Sequence, residues 1–417
     1  MNDRFGTAIA EEVNINGVTV RTNHPPPALR TLAGAGVVTT RGTVGQIIHR
    51  ARWPELGLYE ARATRTPGGD YLLMFPDGGH YGHSDSKVND MLAFRSSDRG
   101  YTWQGPTVAF GIDYDQHGFV PLIPRETTRI YAFGTQPIPA FRSREEGLYE
   151  NAPIGYRYSD DDGHTWSDVH LIRPENDPDF RGMSVMRMCE TDVGTWIIGS
   201  HESDWSANPL MTRQYLLRSE DWGKTWQLLP DKRHDGWCVP EYGRMDEGRP
   251  INLGSGHVYC MFRTPTGRLW HARSLDDGRT WTTPEPTPLV HPDAPPMLFH
   301  LSDGLTLAAF HHNRFSMDLD SYEGLNNPAV FLDRSEIWVS LSKDQGHSWD
   351  EPRFVFANAL TPSFDHEFRN AQCSYLDMIV DDGMIHLFVP HRWERILQLS
   401  FPQEHLETLP TKDKLFS

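Results

Sequence analysis

The chain is predicted to fold as an all-β, six-bladed β-propeller, and two observations carry that expectation. A short pattern, Ser-x-Asp-x-Gly-x-Thr-Trp, occurs five times, and six pairs of short apolar strands recur around it. The copies are SSDRGYTW (96–103), SDDDGHTW (159–166), SEDWGKTW (219–226), SLDDGRTW (274–281) and SKDQGHSW (342–349), the last with Ser348 in place of Thr. Their first serines are 63, 60, 55 and 68 residues apart. Self-similarity at such a period is the mark of a repeat architecture. Asp and Ser side chains satisfy turn backbone groups, Gly accepts a positive φ, and Trp packs beneath the turn. Such a hairpin joins strands three and four of a blade.

The blades are read in order from a repeated phrase: inner strand, turn, second strand, box, outer strand. Inner strands are expected near 58–66 (LYEARATRT), 117–124 (HGFVPLIP), 182–190 (GMSVMRMCE), 246–253 (DEGRPINL), 295–301 (PPMLFHL) and 371–380 (AQCSYLDMIV). Second strands begin near 71 (YLLMF), 129 (RIYAFG), 195 (TWIIGS), 257 (HVYCMF), 305 (LTLAAF) and 384 (MIHLFV). The blades are therefore expected near 54–110, 111–175, 176–235, 236–288, 289–355 and 356–405, in one domain spanning 1–417. The sixth has no box, only RILQLSF at 395. An N-terminal strand within 36–50, centred on GTVGQIIHR, is expected to close it and so protect its edge. Inserts at 136–157, 201–212 and 312–332 are expected as surface loops.

Composition narrows the function classes. The net charge is −17, which argues against nucleic acid, whose binding needs a basic face. No stretch approaches the roughly 18 apolar residues of a membrane span. The first residues, MNDRFGTAIAEEV, lack a basic segment followed by an apolar run, so no signal peptide is read, and the compartment stays open. Cys189, Cys238, Cys260 and Cys373 show no CxxC spacing and are expected as free thiols. No Gly-rich phosphate loop precedes a helix, and no cofactor or metal is expected; the pair His311 and His312 reads as a strand end. The run Asp160-Asp161-Asp162 reads as a solvated turn within a box.

The five boxes resemble the Asp-box, or BNR repeat, of the sialidase (neuraminidase)-like superfamily, and the resemblance extends over most of the chain. Sialidases carry an inner-strand Phe-Arg-Ile-Pro, a catalytic Asp before the first box, a Glu in the fourth blade, two further arginines and a late Tyr. Asp85, in GHSDSKVNDMLAFRSSDRG, matches the acid Asp. Glu247 and Arg263, which open and close EGRPINLGSGHVYCMFR, resemble the Glu-to-Arg run of the fourth blade. Arg334, in DRSEIWVSLSKDQG, stands where the third arginine of the triad precedes its box. Two departures set the chain apart from an ordinary sialidase. Phe-Arg-Ile-Pro is replaced by Tyr59-Glu60-Ala61-Arg62, which puts Glu60 where the first triad arginine stands. The late Tyr position reads Cys373-Ser374-Tyr375; strand alternation puts Tyr375 on the same face as Cys373. A carboxylate in place of a clamp arginine repels a substrate carboxylate.

The resemblance implies a glycoside hydrolase whose ligand is a glycan with an acidic or terminal sugar. Inner-strand positions of a propeller converge on its axial mouth, where carboxylates and arginines suit glycoside cleavage. Asp85 is expected as the acid, with Glu247 or Glu60 as the second carboxylate, or Tyr375 as a nucleophile activated by Glu247. Arg263, Arg334 and Arg249 are expected to bind substrate, with His80, His83 and His117 beside them. The same residues allow a polysaccharide lyase, in which a histidine or Tyr375 removes the α-proton of a uronate and Arg249 stabilises the developing charge. They also allow a binding platform without turnover. The plainer readings are a turn role for Asp85, a structural ion pair for Glu247 and Arg263, and box support for Arg334. Neither the sugar nor the oligomeric state is legible in the sequence.

Overall fold

A computed structural model describes residues 8–51, 57–77, 89–112, 119–136, 151–204, 206–321, 328–362 and 367–416. They form a six-bladed β-propeller whose blades are antiparallel sheets. By contact density the chain divides into two compact units. One comprises Met1–Ala61, Thr266–Arg268 and Pro288–Ser417; the other comprises Arg62–Pro265 and Leu269–Thr287.

The N-terminal segment supplies five strands: β1 (Glu12–Ile15), β2 (Val18–Arg21), β3 (Leu29–Leu32), β4 (Val37–Thr40) and β5 (Val44–Arg50). The first blade is β6 (Arg62–Arg65), β7 (Tyr71–Asp77), β8 (Asn89–Ser96) and β9 (Gln104–Ile112). The second is β10 (Val120–Leu122), β11 (Ile130–Thr135), β12 (Ile154–Ser159) and β13 (His170–Leu171). The third is β14 (Met188–Glu190), β15 (Trp196–Asp204), β16 (Met211–Ser219) and β17 (Gln227–Leu229). The fourth is β18 (Asp246–Gly254), β19 (His257–Arg263), β20 (Arg268–Ser274) and β21 (Glu285–Val290). The fifth sheet holds β22 (Met297–His300), β23 (Leu307–His311), β24 (Glu336–Ser342) and β25 (Arg353–Asn358). The sixth holds β26 (Asp377–Asp381), β27 (Met384–His391) and β28 (Arg395–Pro402).

The closing strand is where the sequence places it. β5 pairs with β28, Gly45 opposite Leu399 and Gln46 opposite Gln398. The rest of the expected N-terminal strand takes another partner: β4 pairs with β25, and β3 with β4, so the fifth sheet has six strands. Gly42, with φ 90°, lies in the turn that separates the two destinations. In the same unit an apolar cluster including Val37, Met297, Ile337, Leu387 and Leu399 fills the space between the fifth and sixth sheets. In the other unit, Leu72, Met91 and Ile130 pack between the first and second sheets. Phe133, Trp196, Leu217 and Trp226 do so between the second and third, and Ile197, Val258 and Phe262 between the third and fourth.

Every box joins the third and fourth strands of its blade, with one hydrogen-bond set repeated. In the fourth blade, Ser274 Oγ donates to Asp276 Oδ1 at 2.8 Å and accepts from Gly278 N at 2.8 Å. Asp276 accepts from Thr280 N at 2.8 Å and Thr280 Oγ1 at 2.6 Å. Two successive residues are left-handed, Asp277 at φ 64° and Gly278 at φ 76°. Trp226 is buried, while the other four box tryptophans are half-buried. Two boxes also tie neighbouring blades together. Arg95 Nη2 donates to Asp162 O at 2.6 Å, and Arg218 Nε donates to Asp277 O at 2.8 Å. The acidic run is thus more than a solvated turn: Asp162 also accepts from Gly68 N at 3.1 Å, and Arg129 forks onto Asp160 at 2.7 and 2.8 Å.

Three expectations are corrected. The inner strands begin later than 58, 182 and 371, because residues ahead of β6, β14 and β26 spend backbone groups on loops: Leu58 N on Trp393 O, Met183 N on His201 O, Cys373 N on Arg334 O. The 201–212 insert is no loop. β15 and β16 pair as far as Asp204 opposite Met211, and Ser203 and Thr212 are buried. In the 312–332 insert, short 3-10 turns at Leu319–Ser321 and Pro328–Arg334 replace plain loop. The four cysteines are free thiols, three of them buried. Among the described residues no helix is long and apolar enough to cross a membrane.

The hairpin β1–β2 is latched to the fifth sheet by a buried carboxyl. Asn16 N donates to both oxygens of Glu336 at 3.0 Å, and Trp338 Nε1 donates to one of them at 3.2 Å. Burial pushes the Glu336 carboxyl up to about 7. Its folded pKa lies above its unfolded one, so the folded state holds an extra proton between about pH 4.5 and 7. Stability is therefore expected to fall as pH rises through that window. Urea midpoints should show the slope in the wild type and a flatter profile for Glu336→Gln. Independently, Asp276→Ala removes the acceptor of three hydrogen bonds and should lower unfolding free energy by about 1–3 kcal/mol, with the urea m-value unchanged.

Candidate functional site

The head of β18 is built around buried charge. Asp246 pairs with Arg263, and Arg249 with Met261, leaving a bulge at residues 247 and 248. Glu247 sits on that bulge with φ 51° and is 3% exposed. A non-glycine residue in this region is a sparsely populated conformation that the surroundings must hold, and such residues and bulges cluster at functional sites. The surroundings here are specific. Arg263 Nη1 donates to Glu247 Oε2 at 3.0 Å, and its Nε lies 3.6 Å from Asp246 Oδ1. Arg244 Nε donates to Asp246 Oδ2 at 2.9 Å. Glu247 N donates to His201 Nδ1 at 3.3 Å, and Ser184 Oγ lies 3.1 Å from the same nitrogen. An amide can only donate, so His201 Nδ1 is the acceptor and its neutral ring carries the proton on Nε2.

Arg249 follows on the same strand, 3% exposed. Two arginines given no role from the sequence share its surroundings: Arg62, the first residue of β6, and Arg187, just ahead of β14. Burial, then Arg187 and Arg62, hold the Arg249 guanidinium well below its usual range. Burial and Arg62 bring Arg187 down to about 9, still charged at neutral pH. A lone arginine at a strand head carries no local signal, which is why Arg62 and Arg187 escape a sequence reading.

The other unit holds Glu60, Arg334 and Tyr375. Arg334 ends a 3-10 turn, is 1% exposed, and donates to Asp293 O and to Gln372 Oε1, the latter at 3.3 Å. Its guanidinium lies 4.6 Å over the ring of Phe331. Phe331 in turn meets Trp393 at 6.3 Å, and Trp393 packs on Tyr59 at 4.6 Å, beside the buried Glu60. Arg334 O accepts from Cys373 N at 2.9 Å, which binds the Tyr375 segment to the same turn. Tyr375 has φ 61° and precedes β26. It is not strand, so the alternation argument that put it on the Cys373 face fails. Ser374 is fixed instead by His312: Nδ1 of that ring lies 2.7 Å from Glu336 O and Nε2 lies 2.8 Å from Ser374 Oγ. The carbonyl can only accept, so Nδ1 carries the proton and Ser374 donates to Nε2. Burial lowers the His312 pKa to about 3, which keeps the ring neutral. His311 and His312 thus have structural partners at the end of β23, as their position suggested.

Of the residues named from sequence, the structure brings Glu247 and Arg263 into direct contact and places Arg249 two residues on. It brings Arg334 to the Tyr375 segment and, through aromatic rings, to Tyr59 beside Glu60. Asp85, His80, His83 and His117 lie outside the described residues. Among the described residues no group of three His, Cys, Asp or Glu could hold a metal ion. An open cleft of about 670 Å³ lies elsewhere, lined by Arg125, Arg129, Tyr131 and Asp160 near the second box, and takes in none of these residues.

Comparison with known proteins follows this geometry. Residues 122–387 match the family described as BNR repeat-like domain. A protein of unknown function from Dyadobacter fermentans superposes with a TM-score of 0.62 at 16% identity, covering 90% of this chain and 100% of that one. The intramolecular trans-sialidase of Ruminococcus gnavus superposes at 0.56 with 15% identity, covering 87% and 98%. The leech intramolecular trans-sialidase does so at 0.58 with 14% identity, covering 87% and 71%. At these identities the likeness is one of fold.

The pairing at the head of β18 makes a stability prediction. Arg263→Met leaves Glu247 and Asp246 buried without their shared partner and should cost about 3–5 kcal/mol. Arg263→Met combined with Glu247→Gln should recover part of that loss, read as urea midpoints of the two variants.

Proposed function

From the premise that the chain belongs to the BNR repeat-like family, we propose that it is a glycoside hydrolase of the sialidase-like superfamily, acting on an acidic or terminal sugar. The observation that carries this reading is Glu247: a buried carboxylate on a β-bulge, in left-handed backbone, held by Arg263 at 3.0 Å. A strand position that served packing alone would have no use for a strained, charged residue. The sialidase and trans-sialidase activities named for proteins of similar fold support the glycan class.

In this reading Glu247 is the proton acceptor and Asp85 the acid. Hydrolysis needs one group to protonate the leaving oxygen and another to act as base or nucleophile. Glu247, as one half of an ion pair with Arg263, suits the second task. Glu60 is the alternative second carboxylate, and Tyr375 the alternative nucleophile with Glu247 as its activator. Arg249, Arg263 and Arg334, with His80, His83 and His117, supply contacts to the sugar. Replacing the first clamp arginine of a sialidase by Glu60 argues for a ligand other than an ordinary sialoside.

The test is a panel of acidic and neutral terminal glycans with product analysis. The expected product is a saturated reducing sugar, with turnover falling on the order of a hundredfold or more in Glu247→Gln under conditions where that variant is still folded by its urea curve. An unsaturated uronate product, no turnover across the panel, or wild-type turnover by Glu247→Gln overturns the proposal.

A further inference from the structure

The open cleft of about 670 Å³ on the second blade is formed by the turn 125–129, Tyr131 and Asp160. It lies past the tail of β10, at the end of the blade where the box turns, whereas Glu247 sits at the head of its own inner strand. Strand register lays rings along one face of this blade. Tyr131 on β11 stands opposite Tyr158 on β12, Phe133 opposite Tyr156, and Tyr156 opposite His170 on β13. Ring centroids are 5.6 Å apart for Tyr131 and Tyr156, 6.3 Å for Tyr131 and Tyr158, and 5.2 Å for Tyr156 and His170. Phe133 is buried toward Trp196 and Trp226 of the third blade, but the three tyrosines are half-buried and His170 is exposed. Arg129 closes the array, its guanidinium 3.9 Å over the Tyr158 ring and forked onto Asp160 at 2.7 and 2.8 Å. The rim is exposed yet fixed at both ends. Arg125 N donates to Glu190 of the third blade at 2.9 Å, and Arg129 N donates to Thr127 Oγ1 at 2.7 Å.

We infer that this cleft is a second saccharide site, separate from Glu247, which takes a neutral, hydroxyl-rich sugar unit against Tyr131 and the Arg129–Asp160 pair. The lining carries two cations, Arg125 and Arg129, and two anions, Glu126 and Asp160, so it offers no net charge to recruit an ion. Its chemistry is that of an amphipathic ligand. One face of a pyranose ring presents C–H groups, which a half-exposed tyrosine ring accepts at little entropic cost. The sugar's rim presents hydroxyls, each both donor and acceptor. A carboxylate that only accepts beside a guanidinium that only donates can hold a pair of them. The exposed Thr127 and Thr128 add hydroxyls of their own. Because the rim is already tied down, little ordering is left for a ligand to offset. The volume lies in the range of small-ligand sites. Packing accounts for Phe133, which faces Trp196 and Trp226; it gives no reason to leave three tyrosines and an exposed histidine along the same face outward of it. The choice of a saccharide leans on the glycan reading above, but the site needs no turnover.

Three neutral disaccharides, lactose, cellobiose and maltose, are the probes, titrated into the full chain and followed by saturation-transfer NMR. Saturable binding of at least one is expected, weakened about tenfold or more in Asp160→Ala, an exposed position where the change is mild. Tyr131→Leu keeps an apolar side chain against Trp196 but removes the ring face, and should weaken binding as much. Wild-type crystals soaked in the bound disaccharide should show a sugar ring against Tyr131, a result independent of whether either variant folds. No saturable binding of any of the three, unaltered affinity in both folded variants, or sugar density only elsewhere overturns the inference. Turnover of a small soluble glycoside should be the same in Asp160→Ala as in wild type; a parallel loss of turnover would mean that the two sites are one and overturns the separation. Disaccharide binding through Tyr131 and Asp160 without any glycan turnover keeps this site and removes the hydrolase; turnover without binding in the cleft does the reverse.

Discussion

The contact between Gly199 and Gly248 is the constraint on which the charged half of this molecule depends. No side chain fits between these backbones, since a Cβ on either would stand under 3.0 Å from the other strand or from Gln214. The strands β15 and β18 therefore meet main chain to main chain at the point where β18 bulges. That closeness lets His201, on β15, reach the amide of Glu247, and lets Gln214, on β16, reach the amide of Gly248. The backbone of a bulge has lost ladder partners, and these two side chains replace them. Glu247 and Arg249 owe their placement to backbone packing and local hydrogen bonds as much as to their own charges.

Both units bury charged groups, and each supplies them with specific partners. Around β18, carboxylates and guanidiniums are paired directly in buried bonds, as in Arg244 with Asp246 and Arg263 with Glu247. Around Arg334, the partners include a backbone carbonyl, Gln372 and the ring face of Phe331, and buried ion pairs recur in the same unit, as in Arg392 with Glu394. Left-handed non-glycine residues mark both places, Glu247 in one and Tyr375, Arg392 and Trp393 in the other. Glu247 and the segment of Tyr375 each have a buried polar anchor. His201 serves Glu247, and the neutral His312 holds Ser374 beside Tyr375. Two buried histidines thus act as acceptors toward residues flanking or forming the candidate chemistry, without needing charge.

The repeat architecture was legible because its signal is local. A box closes its hydrogen bonds within eight residues, so five copies in one chain announce five third-to-fourth strand turns whatever surrounds them. The closing strand β5 was legible for a related reason: the sixth blade lacks a fourth strand after 402, and an apolar alternating segment stands unclaimed at the N-terminus. What failed were inferences that extended a local rule past its range. Alternation assumed strand through Tyr375, where a positive φ breaks it. The insert at 201–212 was expected as a surface loop, where β15 and β16 pair across much of the segment. The single segment 36–50 was expected to join one sheet, and the turn at Gly42 sends its halves to two.

Residue types and their spacing are enough to determine which chain segments become blades, where each box turns, and that Glu247 and Arg263 bracket one hairpin, since adjacent strands must return past each other. Which side chains meet across blades is another matter. Arg62, Arg187 and Arg249 are separated by 125 and 62 residues, and no local pattern ties one to another. That they share surroundings follows from how β6, β14, β15 and β18 pack, an outcome of side-chain volumes and backbone approach summed over three sheets. The strained backbone of Glu247 and Tyr375 has the same origin, because a conformation that no isolated residue favours persists only where tertiary contacts outweigh its cost.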